Sequence, residues 1–243
     1  MKTAIVTGAD RGFGYCITKE LIRKGYFVFA GRYKDDYRLL DQLAEEHPGM
    51  VFPILLDVGN VMSIKEAVAE VTTQTDRLDL YVSNAAYMHG PPSSQLRGEL
   101  PVDIALLDYS IRVNSLGAFI IIKELLPLFD NGKEKRLCFV SSEVSSVTMM
   151  RRNDEIRYCM SKSALNIMVR MLYNRLYDEG YTFRLYQPGW MRQMNPDCTQ
   201  EMMHANQIDP RDSAAFAINV FTGKRQDEQR LLLTDYLGNE WPY

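Results

Sequence analysis

The sequence predicts one doubly wound α/β domain, a parallel sheet of about seven strands with helices on both faces. Three observations carry that reading. Short apolar runs alternate with helical segments, a glycine-rich turn joins the first run to the first helix, and no linker-like stretch or internal repeat breaks the alternation. The 243 residues fit a single domain over 1–243.

The elements follow in order. Ala4–Thr7 is an apolar run ending in the glycine-rich turn, and Tyr15–Lys24 has a helical pattern closed by Gly25. Tyr26–Ala30 is the second strand, followed by a polar helical stretch to Glu46 that His47-Pro48-Gly49 stops. Val51–Leu56 is the third strand, Ser63–Thr73 a helix and Leu78–Ser83 the fourth strand. A long helix is expected over Asp103–Phe129, a fifth strand over Arg136–Val140 and a second long helix over Tyr158–Asp178. Phe183–Gln187 is the sixth strand and Leu231–Thr234 a candidate seventh. Ile104–Phe129 and Met160–Tyr177 are apolar around most of their circumference, as helices buried on all sides are. Either they pack centrally against the sheet, or their outer faces bury against another subunit in a homodimer or homotetramer.

Composition narrows the function classes. With 28 Lys+Arg against 31 Asp+Glu the net charge is −3, and 46% of residues are hydrophobic. That balance excludes disorder, collagen and a transmembrane protein, and gives no electrostatic case for nucleic acid or an anionic membrane. Cys16, Cys138, Cys159 and Cys198 form no C-x-x-C pair, so buried thiols in a reducing compartment are expected. His47, His89 and His204 lack metal-ligand spacing, so no metal site is assigned. The opening apolar run is too short for a secretory signal, and cytoplasm is the expected location.

The turn after the first strand reads Thr7-Gly8-Ala9-Asp10-Arg11-Gly12-Phe13-Gly14, a T-G-x-x-x-G-x-G pattern between strand and helix. Glycines there permit a tight turn and let backbone approach a pyrophosphate, which sits at the positive helix end. The pattern therefore points to a nicotinamide dinucleotide. NAD-binding units usually place a carboxylate about 20 residues on, for the ribose 2′-hydroxyl. Here the second strand ends Phe29-Ala30-Gly31-Arg32-Tyr33, so Arg32, helped by Arg11, is placed to pair with a 2′-phosphate. NADP(H) is expected over NAD(H).

Tyr158-Cys159-Met160-Ser161-Lys162 puts a phenol and an ammonium at i and i+4 on one helix face. With 14 tyrosines the pattern alone is weak, and Tyr15–Lys19 repeats it. Position separates them: Tyr158 opens the helix after the fifth strand, at the sheet edge where such folds bind ligands, whereas Tyr15 reads as helix packing. Ser142 ends the fifth strand at that edge, and Asn114 lies in the preceding long helix. A cation about 4 Å from the phenol, at an effective dielectric near 20, would contribute roughly 4 kcal/mol. That is about three pKa units, enough to bring Tyr158 near 7.

These residues resemble the short-chain dehydrogenase/reductase family over nearly the whole chain. Gly8, Gly12 and Gly14 match its cofactor loop, and Leu56-Asp57-Val58 resembles its strand-three ending, whose aspartate contacts adenine. Ser83-Asn84-Ala85-Ala86 resembles N-N-A-G, and Pro188-Gly189 matches the turn after strand six. Asn114, Ser142, Tyr158 and Lys162 match the Asn-Ser-Tyr-Lys tetrad. The resemblance implies a Rossmann domain in which Tyr158 is general acid or base and Ser142 polarises the same substrate oxygen. Lys162 binds the nicotinamide ribose and lowers the tyrosine pKa, and Asn114 holds a water. Thr7, Phe13 and Ala85 line the cofactor site on the same resemblance. The branch most similar is carbonyl-reductase-like, with sniffer and C-factor proteins.

Three departures stand out: a Ser142–Tyr158 loop longer than the commonest spacing, Gln193 where threonine often contacts the carboxamide, and Ala86 replacing glycine. Substrate is expected under Tyr87–Pro101 and Trp190–Pro210, where Met191, Met194, Met202 and Met203 either form an adaptable apolar lid or pack it onto the body. Arg151, Arg152 and Arg192 either select an anionic substrate or are solvated. The favoured reading is an NADP(H)-dependent oxidoreductase of carbonyls and secondary alcohols. Its alternatives are an NADP(H)-binding sensor with little turnover and, last, an epimerase or dehydratase.

Overall fold

In a parallel sheet covered on both faces every central strand must be apolar on both sides. The computed structural model meets that demand; it describes residues 1–34, 37–88, 103–192, 207–225 and 228–243. Its elements are β1 (Lys2–Val6), α1 (Gly12–Arg23), β2 (Tyr26–Arg32), α2 (Leu39–Glu46), β3 (Val51–Leu55), α3 (Val61–Gln74) and β4 (Leu80–Ser83). Then come α4 (Ile104–Ile111), α5 (Gly117–Asp130), β5 (Arg136–Val140), α6 (Ile156–Leu176), β6 (Thr182–Gln187), α7 (Pro210–Thr222), β7 (Leu233–Asp235) and β8 (Glu240–Trp241). The sheet order is β3-β2-β1-β4-β5-β6-β7-β8, parallel except for the antiparallel β7–β8 pair.

Alternation splits the core into two layers. Ile5, Phe29, Tyr81, Leu137, Phe139 and Leu185 face α3, α5 and α6. Their neighbours Val6, Val28, Ala30, Val82, Cys138 and Tyr186 face α1, α2 and α7. Helix starts are set by side-chain caps: Asn60 accepts from Met62 N–H at 2.9 Å ahead of α3, and Asp103 and Asp209 cap α4 and α7.

Three features differ from the expectation. The long helix after β4 is not continuous: a π-helical turn over Arg112–Leu116 divides α4 from α5. Gly117 explains the close packing there, since a β-carbon would sit 2.2 Å from the Val58 carbonyl oxygen. Ile104–Asp130 is long and apolar enough to cross a membrane, yet α5 lays Ile121, Ile122, Leu125 and Phe129 into the sheet core. Both α7, which begins where the stretch read as lid ends, and β8 went unseen in the sequence. Cys16, Cys138 and Cys159 are buried free thiols as expected, and Cys198 lies outside the described residues.

Candidate active site

Because β1, β4 and β5 are adjacent and parallel, the loops leaving them share one sheet edge. After β1 the chain turns with Gly8 and Gly12 at φ 61° and 55°, values that favour glycine. A β-carbon at Gly14 would lie 2.1 Å from the Gly8 carbonyl oxygen, whereas one at Gly12 meets no atom within 4 Å. The loop is therefore closed against protein at Gly14 and open at Gly12. At the start of α1 no side chain caps the amides and the first turn has no acidic residue. Those amides form an anion cradle, and the residues present fit a dinucleotide pyrophosphate.

The β4 loop is stitched to this turn. Thr7 Oγ1 accepts the N–H groups of Asn84 and Ala85, both at 3.0 Å. Asn84 Nδ2 donates to the carbonyls of Thr7 and Gly8, both at 2.9 Å. Phe13 and Val58 are buried, while Asp57 Oδ1 accepts the Gly59 N–H at 2.8 Å. Pro188 O accepts from Ser213, and Gly189, at φ 81°, has its N–H on Gln187 Oε1.

The two arginines expected at a 2′-phosphate already have partners. Arg32 donates to Asp41 Oδ1 at 3.0 Å, and Arg11 bonds the Tyr37 hydroxyl with its guanidinium 4.9 Å from that ring. Asp10, directly before Arg11 in sequence and missed by motif reading, is buried. Burial pushes its carboxyl up, against the pull of Arg11 and the Tyr33 N–H.

After β5, Ser142 caps a short turn and donates its hydroxyl hydrogen to Glu143 Oε2 at 2.9 Å. Its hydroxyl also faces the Tyr158 phenol and works to lower the phenol's pKa. Lys162 is buried, with Nζ donating to the Val140 carbonyl at 2.8 Å and lying 5.8 Å from the Tyr158 ring centroid. The Tyr15–Lys19 pair has nearly the same spacing, 5.7 Å, but its lysine is only half-buried. Ser141 and Ser145 bond Asn166, tying the β5 loop to α6 (Ser141 Oγ to Asn166 Oδ1, 2.7 Å). No sequence motif singled out that support.

The phenol does not titrate near 7 here. Burial pushes Tyr158 up to about 12, the Ser142 hydroxyl opposing it, and burial brings Lys162 down to about 8. The expectation took a cation at 4 Å in a screened medium. The structure puts the ammonium over the ring face, bonded to a carbonyl, where burial penalises both charged forms.

Asn114 lies in the π turn. Its Oδ1 accepts the Tyr87 N–H at 2.6 Å, and Nδ2 donates to Tyr87 O at 3.0 Å and Ser161 Oγ at 2.9 Å. Its side chain thus joins the β4 loop to α6.

Of the three arginines near the mouth Arg151 is exposed, whereas Arg152 and Arg192 are not simply solvated. Arg152 bonds Glu143 at 2.7 Å and also Glu155, so two carboxylates neutralise it. Arg192 is 3% exposed and pairs with Asp209, while its Nε and Nη1 are buried without a hydrogen-bond partner among the described residues. Gln193, Met194, Met202, Met203 and most of Tyr87–Pro101 lie outside the described residues.

Known proteins resemble this chain in sequence and in fold. The model of the short chain dehydrogenase family matches residues 2–203. An uncharacterised oxidoreductase of Schizosaccharomyces pombe is 31% identical over 98% of this chain and 92% of its own length. Among solved structures, the carbonyl reductase Sniffer of D. melanogaster aligns over 100% of both chains with TM-score 0.85 and 19% identity. An NADPH-bound carbonyl reductase from chicken fatty liver aligns with TM-score 0.83 and 20% identity, over 100% of this chain and 99% of its own. Those two likenesses show the fold, and the sequence matches go further. Glycine turn, strand order and the Ser142, Tyr158 and Lys162 arrangement thus find their common explanation: the chain belongs to the short-chain dehydrogenase family of oxidoreductases.

Proposed function

We propose that this protein is an NADP(H)-dependent carbonyl reductase, acting also on the corresponding secondary alcohols, with Tyr158 as general acid and base. The observation that carries the reading is the meeting of Ser142 with a half-buried Tyr158, one helical turn from the buried Lys162, at the edge that also bears the open glycine turn. When bound, the nicotinamide supplies or accepts the hydride. Everything else falls to the chain. Ser142 presents its hydroxyl to the carbonyl oxygen, and Tyr158 delivers a proton to that oxygen as charge develops on it. A phenol pushed up to about 12 is protonated at neutral pH, the state that reduction needs. Lys162, with one hydrogen on Val140 O, keeps two for the ribose hydroxyls. Arg32 and Arg11 would exchange Asp41 and Tyr37 for a 2′-phosphate, which supports NADP(H) over NAD(H).

The exposed apolar residues Ile167 and Met171 on α6, and Leu116 and Phe119 on the π turn and α5, support a homo-oligomer built on these helices. The first test is thermal unfolding with NADPH, NADH or neither. A ligand at a hundred times its Kd adds about 2.7 kcal/mol. A shift with NADPH, followed by carbonyl reduction that Tyr158→Phe lowers about 10²- to 10⁴-fold without weakening NADPH, supports the reading. Function unchanged by Tyr158→Phe would instead favour a cofactor-binding protein without turnover.

A further inference from the structure

Arg152 sits in the long loop between Ser142 and Tyr158, and its guanidinium reaches both ends of it. One nitrogen donates to Glu143 Oε1 at 2.7 Å and another to Glu155. Glu143 directly follows Ser142 and takes its hydroxyl hydrogen at 2.9 Å. Glu155 stands immediately before α6 in the left-handed region, φ 59°. A non-glycine residue keeps that conformation only where its surroundings hold it. Its carbonyl accepts the N–H groups of Tyr158 and Cys159 at 3.0 and 3.1 Å, so Glu155 sets where Tyr158 emerges.

We propose that Arg152, through Glu143 and Glu155, is a positioning residue that clamps the Ser142–Tyr158 loop so that hydroxyl and phenol meet one substrate oxygen. Glu143 holds the Ser142 hydrogen until a carbonyl oxygen competes for it. The proposal rests on the carbonyl-reductase reading.

Exposure decides where the clamp should register. The side chains of Arg152, Glu143 and Glu155 are 39%, 34% and 50% exposed. Ion pairs so exposed add little to folding. A shift of about 1 Å in a catalytic group, by contrast, costs about 10²-fold in rate. The clamp therefore acts on turnover and hardly on stability.

The test compares Arg152→Met, Arg152→Lys, Glu143→Ala and Glu143→Gln in the full chain. Arg175→Ala, which breaks an exposed 3.2 Å pair with Glu179 near the far end of α6, is the control. Readouts are kcat and KM for a neutral aromatic aldehyde with NADPH, the NADPH Kd, and Tm. Arg152→Met and Glu143→Ala should lower kcat about tenfold or more, with KM, NADPH Kd and Tm nearly unchanged. Lysine bonds one carboxylate at a time and should recover part of the loss. Glu143→Gln, whose amide oxygen still accepts the Ser142 hydrogen, should likewise recover most of what Glu143→Ala loses. Wild-type kcat in Arg152→Met, or losses that fall equally on NADPH binding and kcat, overturns the clamp. If wild-type activity depends on Tyr158 yet ignores Arg152, only the clamp fails. A wild-type chain that reduces no carbonyl overturns the reductase reading and the clamp with it.

Discussion

Two alanine substitutions six atoms of backbone apart should fail in opposite ways. At Gly14 a β-carbon would lie 2.1 Å from the Gly8 carbonyl oxygen and 2.4 Å from Asn84 Nδ2. To reach ordinary contact the loop must move by about 1 Å, which is overpacking worth about 1–3 kcal/mol. The same movement disrupts the 2.9 Å bond from Asn84 Nδ2 to Gly8 O, adding about 1 kcal/mol. Gly14→Ala should therefore lose about 3 kcal/mol, or roughly 6–12 °C in Tm. Gly12→Ala meets no atom within 4 Å, and its cost is the left-handed backbone at φ 55°, about 1–2 kcal/mol. That variant should melt only a few degrees low. Its methyl group, however, projects into the open side of the turn, where backbone must approach the pyrophosphate. The NADPH-induced rise, about 2.7 kcal/mol at a hundred times Kd, should vanish in it. The assay is a melting series of both variants with and without NADPH, with Gly25→Ala (also left-handed and uncrowded, far from the turn) as control. A Gly12→Ala protein that keeps the full NADPH shift would refute the open cradle.

Further consequences can be measured. Arg32→Ala should weaken NADPH about tenfold or more, near 1.4 kcal/mol, and leave NADH unchanged; equal effects on both cofactors would remove Arg32 from the 2′-phosphate. Asp209 is held down at about 2 by its bond from Arg211, with Arg192 also contributing. Its folded pKa lies below its unfolded one, so its contribution to stability is present above about pH 4 and lost as pH falls toward 2. Asp209→Asn strands the buried Arg192 and should cost about 3 kcal/mol at pH 7. The wild-type advantage in Tm should narrow by pH 3, and an equal gap at both pH values contradicts this. Light scattering at micromolar concentration should find an oligomer that Met171→Glu, placed on a side chain 67% exposed, dissociates; a wild-type monomer ends that idea.

Much of this protein was legible in one dimension because its signals are local. A buried strand between two helical layers must be an apolar run, so β1 to β6 could be read within a residue or two. The glycine turn is legible because only glycine tolerates both Gly8's φ of 61° and the closeness at Gly14. Tyr158 and Lys162 share a helix face through a fixed repeat, and Ser142 ends a strand. What stayed hidden depends on partners distant in sequence. The π turn at Asn114 forms where Gly117 meets Val58, and α7 follows a segment whose pattern gave no helix start until Asp209 and Pro210 supplied one. Arg192 reads as a surface cation, yet folding buries it against Asp209. The phenol shows the division most plainly. Sequence supplied a tyrosine with a lysine one turn away, which determined the chemistry on offer. Tertiary structure set the ammonium over the ring, gave one of its hydrogens to Val140, buried the lysine and half-buried the phenol. Desolvation depends on everything packed around a group, which no spacing along the chain encodes, so only the folded molecule decided that Tyr158 rests protonated.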